Sequence, residues 1–287
     1  MPLWKTILAY DGTPFHGWQI QPGLPTVQGT LAEAIRHITG ESVLPQGSGR
    51  TDTGVHALGQ VASFSVDAPI PPANFHRALN RSLPPSIRVL SLQPAPPGFH
   101  ARHSAIQKTY EYRIFPARPN PPILNPGGQM EDDMPLTCSP MLAPYVWDCH
   151  HRLDLAILQN AADAVRGIHD FTSFAAVDPD LPTRADFARS GNCCAEPDPL
   201  ASIRTIHRST WEQRDNLLVY TVTGNGFLHH MVRNLVGTFA EAGRGSIDAA
   251  SIPRILAARN RAAAGPTAPA RGLFLVEVMY PKTEATL

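Results

Sequence analysis

The chain has 287 residues, room for one large or two medium domains, and its 43% hydrophobic and 17% charged content suits a folded globular protein rather than a disordered one. With 24 basic and 24 acidic residues the formal net charge is zero, so overall charge announces no polyanionic partner. No apolar run reaches membrane-span length, and Met1-Pro2-Leu3-Trp4-Lys5 enters a strand pattern directly rather than the apolar core of a signal peptide, so a cytoplasmic protein is expected.

Residues 3–10 read as a strand. Thr26 is placed to cap a helix whose apolar positions Val27, Leu31, Ile35 and Ile38 follow the helical period and which stops at Gly40. A loop at 47–57 follows, then a strand near 60–66. Pro71-Pro72 opens a second helix with Phe75, Ala78, Leu79 and Leu83 on one side, Pro84-Pro85 ends it, and 87–92 is a strand. The second part of the chain repeats this order. A strand at 108–115 alternates, with Tyr110, Tyr112 and Ile114 facing one way and Thr109, Glu111 and Arg113 the other. Residues 153–165 are expected to be helical, with Leu153, Ile157, Ala161 and Ala164 as the apolar face. Residues 202–211 and 217–223 form a hairpin around 213–216. The clearest helix is 227–242, with Leu228, Met231, Val232, Leu235, Val236 and Phe239 in one stripe, and 273–280 closes the chain as a strand.

Two βαββαβ-like halves predict an α+β protein of two ferredoxin-like domains, 1–104 and 105–287. Two Pro-rich stretches, 119–144 with Glu131-Asp132-Asp133 and 178–199 with Cys193-Cys194, read as surface insertions in the second. Cys138 and Cys149 complete the cysteines; none lies in a CxxC pair, so reduced thiols and no metal site are expected. Charge is unevenly spread. Between 69 and 130 lie seven bases, Arg77, Arg81, Arg88, Arg102, Lys108, Arg113 and Arg118, against the single acid Glu111, which suits a basic face for a polyanion.

Four stretches carry candidate chemistry. In Gly47-Ser48-Gly49-Arg50-Thr51-Asp52-Thr53-Gly54-Val55-His56-Ala57, glycines on both sides of an Arg-Thr-Asp triplet fix one carboxylate at the rim of a sheet. Arg50 argues against a cation there and favours an ionised Asp52, the state a nucleophile or base needs. Tyr110 and Tyr112, beside Lys108 and Arg113, are suited to stack on unpaired bases or, individually, to fill a core. In Gly224-Asn225-Gly226-Phe227-Leu228-His229-His230-Met231-Val232-Arg233, the arginine lies off the apolar stripe in the second helical turn, free to meet a carboxylate or a phosphate. Neighbours on a helix point about 100° apart, so His229 and His230 are not expected to share an ion. His169, Asp170 and Ser173 crowd one short segment too tightly for a hydrolase triad, and a buried polar strand end is expected instead.

Taken in order, seven motifs resemble the tRNA pseudouridine synthase A family. They are Tyr10 through Gln19, Thr26-Val27-Gln28-Gly29, Gly49 through Ala57, Phe99-His100-Ala101-Arg102, Lys108-Thr109-Tyr110-Glu111-Tyr112, His169 through Phe174, and Phe227 through Gly237. The resemblance implies the pseudouridine synthase fold, with antiparallel sheets joined across a central cleft, and a homodimer that holds tRNA without metal or cofactor. It implies isomerisation of uridine to pseudouridine in the anticodon stem-loop, at about positions 38–40, on a base turned out of its stack. By the same resemblance Asp52 is the catalytic aspartate. Tyr110 stacks on the uracil and takes part in removing the C5 proton. Arg233 pairs with Asp52, Arg50 helps extrude the base, and Leu273 lines the pocket. Arg102, Lys108 and Arg113 are expected to hold phosphates. Thr53 stands where the family more often has a small apolar residue, and both insertions are longer than usual. The residues leave open whether Asp52 attacks C1′ or C6 or deprotonates C2′. Two rival readings are a non-catalytic RNA-binding protein on the same fold and a metal-dependent nuclease drawing on the twelve histidines.

Overall fold

The computed structural model describes residues 1–117, 136–176 and 202–281. The insertion at 119–144 is therefore seen only from 136 onward. The acidic triplet, the whole stretch at 178–199 and its paired cysteines lie outside the described residues. In chain order the strands and helices are β1 (Leu3–Tyr10), α1 (Val27–Thr39), β2 (Gln46–Gly47), β3 (His56–Ser65), α2 (Pro72–Ser82), β4 (Ile87–Pro94), β5 (Gln107–Pro116), β6 (Trp147–Cys149), α3 (Leu155–Asp163), β7 (Gly167–Asp170), β8 (Ile203–Arg214), β9 (Leu217–Gly224), α4 (Met231–Gly243), α5 (Ile252–Ala258) and β10 (Leu273–Met279). The class is α+β, as the order of elements predicts.

The chain forms two compact units. The first comprises Met1–Arg113, Cys138–Trp147 and Pro269–Leu287; the second comprises Ile114–Thr137 and Asp148–Ala268. This differs from a single cut between 104 and 105, and the reason is backbone pairing. Strand β10 hydrogen-bonds to β3 and to the first part of β5, which draws both back into the first unit.

In the first unit the strand order is β4-β1-β3-β10-β5, with β2 on the edge of β3. β1 runs antiparallel to β3 and β4, β10 runs parallel to β3, and β5 runs antiparallel to β10. Alternate residues of β1 are buried, putting Trp4, Thr6, Leu8 and Tyr10 on one face. Trp4 and Phe64 both meet Phe75 of α2 edge-on, at 5.4 and 6.1 Å between centroids, and this aromatic contact seats α2 on the sheet. α1 buries Val27, Leu31, Ala34 and Ile35; Thr26 accepts a hydrogen bond from Gly29 N and Gly40 ends the helix in the left-handed region.

In the second unit β7, β8 and β9 form an antiparallel run, with α3 packed on β8 and α4. Trp211 packs tilted on Tyr220 and Phe239 meets Tyr220 edge-on in its core, with centroids 5.0 and 5.4 Å apart, and the Tyr220 hydroxyl pairs with Ser209 Oγ at 2.8 Å. The hairpin closes at Asp215-Asn216, with Asp215 at φ +50°.

Two helices start later than periodicity suggests. Asp154 accepts from Ala156 N and Ile157 N, so α3 begins at Leu155 and its buried face is Leu158, Ala161 and Ala162. α4 begins at Met231 because His230, the residue before it, adopts φ +58°, outside the right-handed helical region. Phe227, Leu228, His229 and His230 are therefore not helical.

Candidate active site

The Arg-Thr-Asp loop belongs to the first unit and leads directly into β3, the strand flanked by β1 and β10. Its backbone is held from several sides. Ser48 N–H donates to Val61 O at 2.8 Å, Trp18 N–H donates to Thr51 O at 3.0 Å, and Gln60 Nε2 donates to Gly49 O at 2.8 Å. The Thr51 hydroxyl is buried against the Tyr10 hydroxyl at 2.8 Å. Burial pushes the Tyr10 phenol up to about 12, opposed by its contacts with Thr51 and Gln60. The turn at Asp52 closes through Val55 N–H to Asp52 O at 3.1 Å. Thr51 is buried, Asp52 is half-buried and Arg50 is exposed, so the carboxylate sits on a fixed backbone at the edge of the solvent.

Gly12 explains why the 10–19 and 49–57 motifs occur together. A Cβ at Gly12 would stand 2.1 Å from Val55 O, so only glycine lets the two segments approach this closely.

Tyr110 lies in the same unit on β5, 7% exposed, opposite Leu275 of β10. Burial raises its phenol pKa far above the ordinary range, with further contributions from Tyr10 and from the negative charge of Asp52. Tyr110 and Asp52 are thus electrostatic neighbours, and Tyr110 stays a neutral phenol. Tyr112, two residues on, has the core role: it is fully buried, and its hydroxyl donates to Pro269 O at 2.7 Å. Leu273 pairs with Tyr112 across β10 and β5 and is 6% exposed.

Lys108, expected on phosphates, sends its ammonium to Ser48 O at 2.6 Å and so also steadies the Arg-Thr-Asp loop. Arg113 is paired with Glu111 at 2.7 Å and lies over the Phe274 ring at 4.0 Å. Arg102 is exposed on a loop pinned at Ala101, whose N–H donates to Ser63 Oγ and whose carbonyl accepts from the Tyr280 hydroxyl at 2.6 Å.

The remaining predicted residue, Arg233, lies in the second unit. Because α4 starts at Met231, Arg233 is in the first helical turn and not the second. Its Nε donates to Ala268 O at 2.8 Å, and Ala268 N–H returns a bond to Arg233 O at 3.1 Å. Beside it, fully buried Asn234 is a hub. It donates to Phe174 O at 2.7 Å and accepts from Thr267 Oγ1 at 2.7 Å and Arg261 at 3.1 Å. Asn234 thereby joins the 169–174 motif to the 227–237 motif. His229 and His230 have ring centroids 4.0 Å apart, since they precede the helix, so the divergence expected of helical neighbours does not hold. His169, Asp170 and Ser173 go separate ways: to Arg166 O, to Thr172, and to Ile255 O. Asp170 and His169 are half-exposed, so only Ser173 fits the buried polar strand end expected there.

Tyr10, Asp11, Gly12 and His56 carry no individual mark of function in the sequence. Each falls inside a motif, but their purpose emerges only when the motifs are seen packed on one another.

The chain matches the family described as tRNA pseudouridine synthase over residues 7–104 and 161–281. It is 46% identical over 277 residues to a "tRNA pseudouridine synthase A" of Solibacter usitatus, covering 96% of this chain and 98% of that protein. Proteins of the same name from Acetivibrio thermocellus and Moorella thermoacetica are each 40% identical, covering 96% and 98% of this chain and 98% and 100% of their own lengths. An ordered set of motifs, a buttressed aspartate loop and near-complete alignment to these relatives establish that the chain belongs to the tRNA pseudouridine synthase A family.

Proposed function

We propose that this protein isomerises uridine to pseudouridine in the anticodon stem-loop of tRNA, at about positions 38–40, acting on an everted base. The observation that carries the reading is the packing of the aspartate loop against β5 within one unit: a Cβ at Gly49 would stand 3.6 Å from the buried Tyr110 hydroxyl, and Lys108, two residues from Tyr110, holds Ser48 O at 2.6 Å. Family membership supports the reaction and the RNA substrate.

The reaction breaks the C1′–N1 bond, turns the uracil, joins C5 to C1′ and moves the C5 proton away, while N1 ends protonated. It involves no net redox change and no net hydrolysis. In this reading Asp52 supplies the nucleophile or base, at C1′, C6 or C2′, and Arg233 is its ionic partner. Tyr110 is a neutral phenol at rest, which suits stacking on the uracil and donating a hydrogen bond. Its part in removing the C5 proton requires a proton acceptor to share that proton, and Asp52 is a nearby carboxylate. Arg50 aids extrusion of the base, Leu273 lines the uracil pocket, and Arg102 and Lys108 contact phosphate. A homodimer working in the cytoplasm completes the proposal. Among the described residues no helix is long and apolar enough to cross a membrane.

The test is tritium release from tRNA labelled at uracil C5. Release by the wild type and none by Asp52→Asn is the expected result. Undiminished release by Asp52→Asn would remove Asp52 from the chemistry, and no release by the wild type would instead support a binder, a reading that the run of bases between 69 and 118 favours. Pairing of Asp52 with Arg233 is tested by a double-mutant cycle of Asp52→Asn and Arg233→Gln on tRNA affinity; additive effects would reject it.

A further inference from the structure

His56 closes the motif that holds Asp52, yet no step of the chemistry above uses it. Its ring is 1% exposed and contacts three separate segments of the first unit. At Nδ1, the Gly12 N–H donates at 3.0 Å. At Nε2, the Pro144 and Arg271 carbonyls both lie at 3.2 Å. The ring stacks on Phe274 with centroids 4.7 Å apart and interplanar angle 20°, and Tyr145 leans on it at 5.2 Å. An acceptor at Nδ1 and two carbonyls at Nε2 specify the neutral tautomer with its proton on Nε2. Asp11 Oδ1 approaches Nδ1 to 3.2 Å, a contact that becomes an ion pair only if the ring is protonated. Burial lowers the pKa of His56, with a small further push from Arg113, and outweighs the opposing pulls of Asp11 and of the Pro144 and Arg271 carbonyls, in agreement with the neutral form.

We infer that His56 is a positioning residue for Asp52, acting through Gly12. The chain of contacts is short. Nδ1 fixes the Gly12 N–H, and Gly12 lies against Val55 O so closely that no side chain fits between them. Val55 N–H closes the turn on Asp52 O. The other side of the ring grips Arg271 O, two residues before Leu273, and Pro144 O, so one imidazole sets both the carboxylate's turn and the start of β10. Neither a phenyl nor an aliphatic side chain could offer an acceptor on one edge and a donor on the other. The inference rests on the isomerase reading for its consequence in rate, but its structural half does not.

Two variants separate the two edges. His56→Asn keeps an acceptor near the Nδ1 position and gives up the donor; His56→Gln reaches the Nε2 position and gives up the acceptor. Steady-state tritium release from C5-labelled tRNA, tRNA affinity, thermal melting, and amide exchange at Gly12 and Val55 are measured for both. In His56→Gln, kcat should drop between about tenfold and a hundredfold, the range a misplacement near 1 Å produces, with KM and tRNA affinity unchanged. Exchange at Gly12 and Val55 should quicken. His56→Asn should retain most of kcat and of the protection. Equal losses in the two variants, a loss seen only in melting temperature or KM, or unchanged exchange in His56→Gln would overturn the proposal. If the wild type itself releases no tritium, the isomerase reading fails, and the exchange rates still decide whether His56 holds the turn.

Discussion

At the scale of single residues, the first unit holds the Asp52 loop close to the buried Tyr110 phenol, and Tyr110 and the neighbouring His56 each make a separate prediction. Tyr110→Phe keeps the ring and loses the hydroxyl. Since burial already prevents its ionisation, tRNA affinity should persist while kcat falls by about 10²–10⁴-fold, the usual contribution of a proton-handling group. Single-turnover release of C5 tritium checks this, and an unchanged rate would reduce Tyr110 to a stacking surface. His56 makes a prediction about pH. It faces Asp11, Tyr145 and, across Phe274, Arg113, and its net shift is downward from 6.5. Below about pH 6.5 the unfolded chain binds a proton there that the folded chain resists, so stability should decline as pH falls from 7 through that range. Urea unfolding at a series of pH values should show this slope in the wild type and lose it in His56→Asn. Asp11 has a folded pKa below 3.8, because hydrogen bonds from Thr13 and Tyr145 and the nearby His56 outweigh burial. Its stabilisation is present above that value and is lost only in stronger acid.

At the scale of elements, legibility followed local physics. β1, α1, α2 and β4 could be read because their signals lie within a few residues: a capping threonine, a terminal glycine, paired prolines. The starts of α3 and α4 could not be read from period alone. One depends on Asp154 capping two N–H groups, the other on a left-handed histidine that nothing in the hydrophobic stripe announces. Flanking glycines and charges mark the Asp52 loop as a candidate, but the roles of Asp52 and Tyr110 come from the family resemblance, since an Arg-Asp turn and a strand tyrosine alone are equally at home on a surface and in a core. His56 and Asn234 carry no such mark, since their roles come from carbonyls and amides contributed by distant segments. Two substitutions test these elements. Asp154→Ala removes both capping bonds of α3 and should cost about 1 kcal/mol in urea unfolding. Gly237→Ala is more severe. A Cβ there would lie 1.7 Å from Pro266 O, so either α4 or the 264–268 segment must move, at a cost of at least about 1–3 kcal/mol. That segment carries Ala268, the acceptor for Arg233, so turnover should fall along with the melting temperature.

At the scale of the molecule, zero net charge conceals a local surplus of bases, with Arg77, Arg81, Arg88 and Arg102 all on the described surface. If these residues meet phosphates, log affinity for tRNA should decline linearly with log salt, and Arg102→Gln should weaken binding while lowering that slope by about one. An unaltered slope would put Arg102 off the RNA. The strand order has a consequence for biosynthesis. β10, residues Leu273–Met279, is not a terminal decoration but the partner on which β3 and β5 both depend, inserted between strands translated some hundred and fifty to two hundred residues earlier. A nascent chain emerging from the ribosome must hold two open edges without a mate until that late segment arrives, a wait that slows closure and leaves unpaired backbone available to wrong partners. A premature stop before 273 would therefore remove the middle of a sheet, and no amount of intact catalytic loop upstream would compensate.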